Sequence, residues 1–257
     1  RLQGRIHTIR DHGKITFVDL SDETGQIQCV LRKQADLLEG DIAEIEGTIK
    51  KRPKELINKN LETGTVEVSA ESVRIISKTK TPPIPTDGDG YDIEEALRLR
   101  YRYLDLRRER LQKNLRLRSS AAILAREYLN KEGFVEIETP YLSKTTPEGA
   151  RDFLVPSRLH SGKFYALTQA PQQYKQLLMI AGFEKYFQFA RAFRDEDLRS
   201  DQQFEHTQID VEAAYVNRED ILKVVEGLAT FIAEAMGKKI YKKPFPVFTY
   251  REAMEKF

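Results

Sequence analysis

The stretch RAFRDEDLRSDQQFEHTQID, residues 191 to 210, gathers side chains that could grip a nucleotide. Arg194 offers a planar fork suited to phosphate or carboxylate. Glu196, two residues on, can accept from an amino group such as that of adenine. Phe204 and His206, on the returning segment, are flat side chains that could cover a ring. From Arg191 to Asp201 three arginines compete with four acids, and no glycine interrupts them. Ordinary hairpin turns use Gly, Asn or Asp at special backbone angles, so this connection is too long and too charged to be a simple turn. The competing account is a surface loop of mutual salt bridges, each worth little.

The flanking segments, YFQFARAF and IDVEAAYV, read as the two strands of the hairpin that positions these groups. Upstream, Leu117, Ala121, Leu124 and Tyr128 fall on one face of a helix that Gly133 closes. FVEIETP and KFYALT read as strands, and PQQYKQLLMIAGF as a helix with Pro171 near its first turn. TTPEGARDFLVPSR between them has the look of a mobile, glycine-hinged loop. NREDILKVVEGLATFIAEAMG is an amphipathic helix. Strand pairs with few obligatory crossovers predict an antiparallel sheet flanked by helices, an α+β arrangement. Neither a Gly-x-Gly-x-x-Gly nor a Gly-x-x-x-x-Gly-Lys-Ser/Thr loop occurs, so a nucleotide here must be held by another device.

The first 77 residues read differently. GRIHTIRD, ITFVDL, IQCVLR, AEIEGTIKK and TVEVSAESVRIIS are five strand candidates, with a short helical piece expected over Lys33 to Leu38. That pattern predicts a small OB-type barrel, a fold that stacks single-stranded nucleic acid on aromatics. Phe17 is the candidate platform; a core phenylalanine is the alternative. TKTPPIPTDGDGYD then reads as a linker. The expected division is a barrel over 1–78, a hinge over 79–104 and the start of a larger domain over 105–257.

Composition limits the function classes. The chain has 257 residues, 40% hydrophobic and 32% charged, with a net charge of +2. It is expected to be a soluble globular protein with no membrane association, and no signal-peptide pattern is seen. One cysteine, Cys29, excludes an internal disulfide framework and a cysteine-based zinc site, and a reducing, cytoplasmic setting is expected. No metal site is expected within the chain. Two basic runs stand out. LRLRYRYLDLRRERLQKNLRLR, 97 to 118, has nine Lys or Arg against two acids, and IKKRPKELINKN, 49 to 60, has five against one. Each is either a solvated face or part of a polyanion footprint.

The words FRDEDLRSDQQFEHTQID, YRYLDLRR (101 to 108), GFVEIETP (133 to 140), TPEGARDFLVPSR (146 to 158) and QAPQQYKQLLM (169 to 179) together resemble the bacterial-type aspartyl-tRNA synthetases, class II aminoacyl-tRNA synthetases. The resemblance covers essentially the whole chain. It implies activation of aspartate by ATP, with Mg2+, to aspartyl-adenylate, and transfer to the 3′ end of tRNA-Asp. Arg194 would hold the α-phosphate and the α-carboxylate as charge builds. Asp195, Glu196, Gln203 and His206 would contact ATP. Lys175 would pair with the substrate's side-chain carboxylate. Gln172 and Asp210 would surround its ammonium group, and Glu148 would lie on a lid over the bound amino acid. In the barrel, Arg10, Phe17, Gln28 and Asn58 would contact the anticodon. His12 stands at a turn where relatives that also charge tRNA-Asn often carry histidine. Pro140 ends the first class II motif and implies a homodimer.

Two positions depart from the pattern: His206 replaces a usual phenylalanine, and Ala170 replaces a serine near the ammonium. The third class II motif and the bacterial insertion domain do not appear before Phe257, and the chain starts inside the first barrel strand. The resemblance therefore implies a chain incomplete at both ends. A non-catalytic tRNA-binding module stands as the alternative to the enzyme.

Overall fold

Alternating side chains make the first five strands. In β1 (Leu2–Asp11), β2 (Thr16–Ser21), β3 (Gln26–Leu31), β4 (Ile42–Lys51) and β5 (Val66–Ser77), one side chain in two faces inward. Ile6, Val18, Leu20, Cys29, Leu31, Ala43, Ile45 and Val68 fill the interior, each at most 3% exposed. The computed structural model describes residues 1–32, 36–59, 61–86, 88–199 and 202–257. Its strands close in the order β1-β2-β3-β5-β4, with β3 and β5 paired in parallel and the other neighbours antiparallel. This is the OB-type barrel. Half of the helical piece expected at Lys33–Leu38 lies outside the described residues, and Asp36–Leu38 are not helical.

The chain divides into two compact units, Arg1–Gln112 and Lys113–Phe257. In the first, the segment after the barrel is pinned by charge. Asp41, fully buried, accepts from the amides of Leu38 (2.9 Å) and Thr79 (2.7 Å). Further on come the short helices α1 (Glu95–Arg100) and α2 (Arg102–Asp105). Asp105 is fully buried and gathers Arg108 (2.8 Å), Arg102 (2.8 Å) and Arg98 (3.9 Å). Burial opposes its charge, but the three guanidiniums outweigh that and hold its carboxyl below the usual range. Arg108 also donates to the carbonyls of Pro85 (2.7 Å) and Gly88 (3.4 Å). Gly90 (φ 76°) lies so close that a Cβ there would sit 2.4 Å from Arg108 Nε. Arg110 stacks on Tyr91 at 4.5 Å. Four arginines of the 97–118 run thus serve the packing of this segment, and the polyanion reading of that run is corrected to that extent.

In the second unit, β6 (Val135–Glu136) follows helix α3 (Glu109–Lys131), whose end is marked by Gly133 at φ 83°. Then come β7 (Leu142–Ser143), β8 (Leu154–Pro156), β9 (Phe164–Leu167), α4 (Gln172–Ile180), β10 (Lys185–Phe193), β11 (Glu205–Ala213), α5 (Arg218–Ala235) and α6 (Tyr250–Lys256). One sheet has the order β11-β10-β6 and a smaller one β7-β9-β8. The α+β arrangement stands, with one local difference: β6 lies parallel to β10. Parallel neighbours need a long crossover, and β7 to α4 supply it.

Period two separates the faces of β10 and β11. Phe187, Phe189, Val211 and Ala213 pack against Ala125, Leu129, Phe134 and Leu228 from α3, its following turn and α5. The opposite face carries Tyr186, Gln188, Asp210 and Glu212, with Gln188 directly across from Asp210 and Tyr186 across from Glu212. That second face is the polar one.

Candidate functional site

Two polar assemblies occupy the second unit. The first is at the end of the β10–β11 hairpin, where a cavity of about 320 Å³ is lined by Arg194, Glu196, Asp197, Leu198, Gln202, Gln203 and His206. A volume near 300 Å³ falls at the small end of ligand sites. β11 starts at Glu205, earlier than its apolar part suggests, and the amide of Arg194 donates to the Phe204 carbonyl at 2.8 Å. The ladder thus runs to the foot of the loop and fixes where Arg194 leaves it. Arg191 pairs with Glu205 at 2.5 Å on the strands. The side chains of Arg194, Glu196 and Asp197 form no ion pair with any described residue. The mutual salt-bridge account of this loop fails on that point, and its charges stand open to a ligand. Phe204 packs edge-on against Phe153 at 5.8 Å, which leaves His206 as the flat group in the cavity. Asp195 does not line it; its amide donates to the Arg151 carbonyl at 3.0 Å.

The second assembly lies where α4 faces the polar side of the sheet. Lys175 is 8% exposed and donates to Asp210 Oδ1 at 3.0 Å and pairs with Glu212 Oε2 at 3.1 Å. Burial alone would discharge this lysine, but the two carboxylates outweigh it and raise its pKa above the usual value. Burial also raises Asp210, and Lys175 only partly offsets it because Glu212 adds like charge. Asp210 Oδ2 is buried with no hydrogen-bond partner. Across the ladder, the Oε1 of Gln188 accepts from Thr139 Oγ1 (2.9 Å) and Tyr186 Oη (2.7 Å), while its Nε2 is buried and unpaired. Burial lifts the Tyr186 hydroxyl well above the usual phenol range.

Lys175 and Asp210 are therefore brought together, with Glu212 a third member; its place two residues after Asp210 on one strand face was the signal for it. Gln172 is half-buried at the start of α4 and Glu148 half-buried in the loop before β8; neither bonds to this pair. Gln169, 3% exposed, was missed altogether. It donates to the Ala150 carbonyl (2.9 Å) and to Asp152, and accepts from the Ala150 amide (3.1 Å). The loop TTPEGARDFLVPSR is thus anchored at its centre.

In the barrel, β1 pairs Arg10 with Phe17 on β2, and β2 pairs Asp19 with Gln28 on β3. On this outer face Arg10 donates to both oxygens of Asp19 (2.7 and 3.1 Å) and to Gln28 Oε1 (3.3 Å). Gln28 Nε2 continues the chain to Glu67 at 3.0 Å. His12 meets Phe17 edge-on, ring centres 5.5 Å apart. Phe17 is half-buried and outside the interior cluster, so it is not a core phenylalanine. Asn58 lies on an exposed turn whose amide bonds the Gly64 carbonyl at 3.1 Å.

A closed five-stranded barrel followed by this sheet and hairpin defines a class of protein. The family model "tRNA synthetases class II (D, K and N)" matches residues 94–257, and "OB-fold nucleic acid binding domain" matches 1–76. The chain belongs to the class II tRNA synthetases of the D, K and N group. It is 49% identical to an aspartate–tRNA(Asp/Asn) ligase of Moorella thermoacetica, over 100% of this chain and 44% of that protein. An aspartate–tRNA ligase of Staphylococcus saprophyticus is 44% identical over 100% of this chain and 45% of its own length. The chain thus spans less than half the length of these relatives. Among solved structures, an asparaginyl-tRNA synthetase from Pyrococcus horikoshii complexed with asparaginyl-adenylate superposes with a TM-score of 0.82 at 26% identity, covering 99% of this chain and 62% of that one.

Proposed function

We propose that the protein is an aspartate–tRNA ligase, which joins aspartate to ATP as aspartyl-adenylate with release of pyrophosphate and passes the aspartyl group to the 3′ end of tRNA-Asp. The observation that carries this reading is the Lys175 cluster. An ammonium group has three donors, and Asp210 and Glu212 occupy two of those on Lys175. The third is left for a carboxylate. One lysine between two acids leaves the cluster net negative, and Asp210 Oδ2 lacks a donor. A ligand with an ammonium for Asp210 and a carboxylate for Lys175 fits both needs. Aspartate has both; asparagine would offer a neutral amide to the lysine.

In this reading the cavity takes ATP, with Mg2+ arriving as the nucleotide's counter-ion and part of the substrate. Arg194 binds the α-phosphate and stabilises negative charge as the aspartate carboxylate attacks it in line. Glu196 and Gln203 contact the nucleotide, and His206 covers the ring. Gln172 joins Asp210 at the ammonium, and Glu148 closes from the loop. No proton need move in the adenylation step, so the protein's part is positioning and charge.

The barrel face reads the anticodon: Phe17 as stacking platform, Arg10 and Gln28 at base edges, Asn58 from its turn. His12 stands edge-on to Phe17, and the reading carries tRNA-Asn as a further substrate on the strength of that histidine's resemblance alone. A homodimer is part of this reading, and exposed apolar side chains support it: Leu117 and Ile123 on α3, and Val135, Tyr141 and Leu142 close to Pro140 in the chain. A cytoplasmic location suits the substrates, and no described helix is long and apolar enough to cross a membrane.

ATP–pyrophosphate exchange with aspartate, asparagine and lysine tests the reading. Exchange with aspartate alone is expected in the intact protein. Retained tRNA binding without exchange would select the binding-module alternative, and equal aspartylation of purified tRNA-Asp and tRNA-Asn would establish the wider tRNA choice.

A further inference from the structure

We infer that Gln169 is a positioning residue for amino-acid capture, which anchors the loop carrying Glu148 beside Arg194. The inference rests on the functional reading above. Its side-chain amide reproduces one rung of a β-ladder: it accepts from the Ala150 N–H at 3.1 Å and donates to the Ala150 carbonyl at 2.9 Å. A further donation goes to Asp152. With acceptors for its Nε2 and a donor for its Oε1, the amide has one orientation that satisfies all three. At 3% exposure it has no water to fall back on, so losing these bonds leaves buried polar groups unpaired.

The clamp sits where three parts of the site converge. Ala150 is two residues after Glu148. Arg151, between the clamped Ala150 and Asp152, gives its carbonyl to the Asp195 amide at 3.0 Å, and Thr168, next to Gln169, gives its carbonyl to the Phe193 amide at 2.9 Å. Arg194 is thus flanked on both sides by amides tied to the clamped segment. Three residues beyond Gln169 begins α4, with Gln172 and Lys175. One buried side chain therefore ties the Glu148 loop to the strand end that presents Arg194. Glu148 itself makes no side-chain bond to a described residue, so its position is inherited from this anchor.

The test uses the intact protein and three variants. Gln169→Glu removes the donations and sets a second carboxylate against Asp152. The double variant Gln169→Glu with Asp152→Asn restores a donor from the other side. Asp152→Ala, at a half-buried position, removes one bond and guards against a fold failure in the first. For Gln169→Glu, the KM for aspartate in ATP–pyrophosphate exchange rises about tenfold or more while the KM for ATP moves less than about threefold. Hydrogen exchange at the Ala150 amide quickens by about tenfold. The double variant recovers part of both, and Asp152→Ala shows the same split at about two- to fivefold. An unchanged aspartate KM in Gln169→Glu and Asp152→Ala, or equal changes in both KM values, overturns the inference. Faster Ala150 exchange in a protein whose wild type shows no aspartate-dependent exchange overturns the functional reading, and with it the assignment of the clamp to amino-acid capture.

Discussion

The barrel face and the hairpin cavity hold their charged side chains in opposite ways. On the barrel, Arg10, Asp19, Gln28 and Glu67 are bonded to one another before any ligand arrives. At the hairpin, Arg194, Glu196 and Asp197 have no ion-pair partner among the described residues. A bonded network fixes which donors and acceptors face outward, which suits the reading of base edges. Open charges keep their full strength for a polyanion whose charge changes during reaction. The Lys175 cluster combines the two: it is paired, yet leaves one donor and one acceptor unused.

The contrast predicts where activity and stability separate. Arg194→Ala should lower aspartate-dependent exchange by about 10²–10³-fold or more, yet leave stability within about 0.5 kcal/mol, since no ion pair is lost. A large fall in the denaturation midpoint would show that Arg194 is structurally committed after all. Lys175→Met should do both kinds of damage, because it leaves Asp210 and Glu212 facing one another in a partly buried site. A loss of about 3 kcal/mol in urea unfolding is expected, along with loss of aspartate binding by calorimetry. In the barrel, Asp19→Asn should weaken tRNA binding by about five- to tenfold through misplacement of Arg10, with exchange unchanged. Altered exchange in that variant would remove the separation between the two regions.

The smallest effect concerns pH. Glu44 on β4 accepts from Gln3, Arg74 and Arg1, which outweigh burial and lower its pKa to about 2. A carboxylate depressed on folding adds stability that is fully present above its unfolded pKa of 4.5 and is lost as pH falls toward about 2. Urea midpoints measured from pH 5 to pH 2 should fall less steeply for Glu44→Gln than for the wild type. Parallel curves would remove Glu44 from the acid response.

How much was legible in the sequence varied with how local the cause was. The barrel strands and the β10–β11 hairpin announced themselves through period-two patterning, and FRDEDLRSDQQFEHTQID stood out as a word. The start of α3 at Glu109 did not, because after the buried Leu111 the helix is exposed from Gln112 to Ser120 and shows no buried apolar face there. The parallel pairing of β6 was invisible in a two-residue strand. The arginines of 97–118 looked alike in the sequence; the buried Asp105 selects Arg98, Arg102 and Arg108 for packing, and Tyr91 selects Arg110. Lys175 and Asp210 were each recognisable, but their bond depends on α4 crossing the sheet. Gln169 opens the word QAPQQYKQLLM but gave no sign of its own role, since its partners, the Ala150 backbone and the Asp152 side chain, lie nineteen and seventeen residues away.

The Arg108 fork has a consequence for how this chain can vary in length. It holds the carbonyls of Pro85 and Gly88, while Gly90 presses on the same guanidinium with no room for a Cβ. Insertion or deletion of even one residue between Pro85 and Gly90 would take a carbonyl off its donor or bring a side chain into the fork. That stretch is in effect a counted spacer. A library of single-residue insertions across 78–95 would record the spacer as a gap among the survivors.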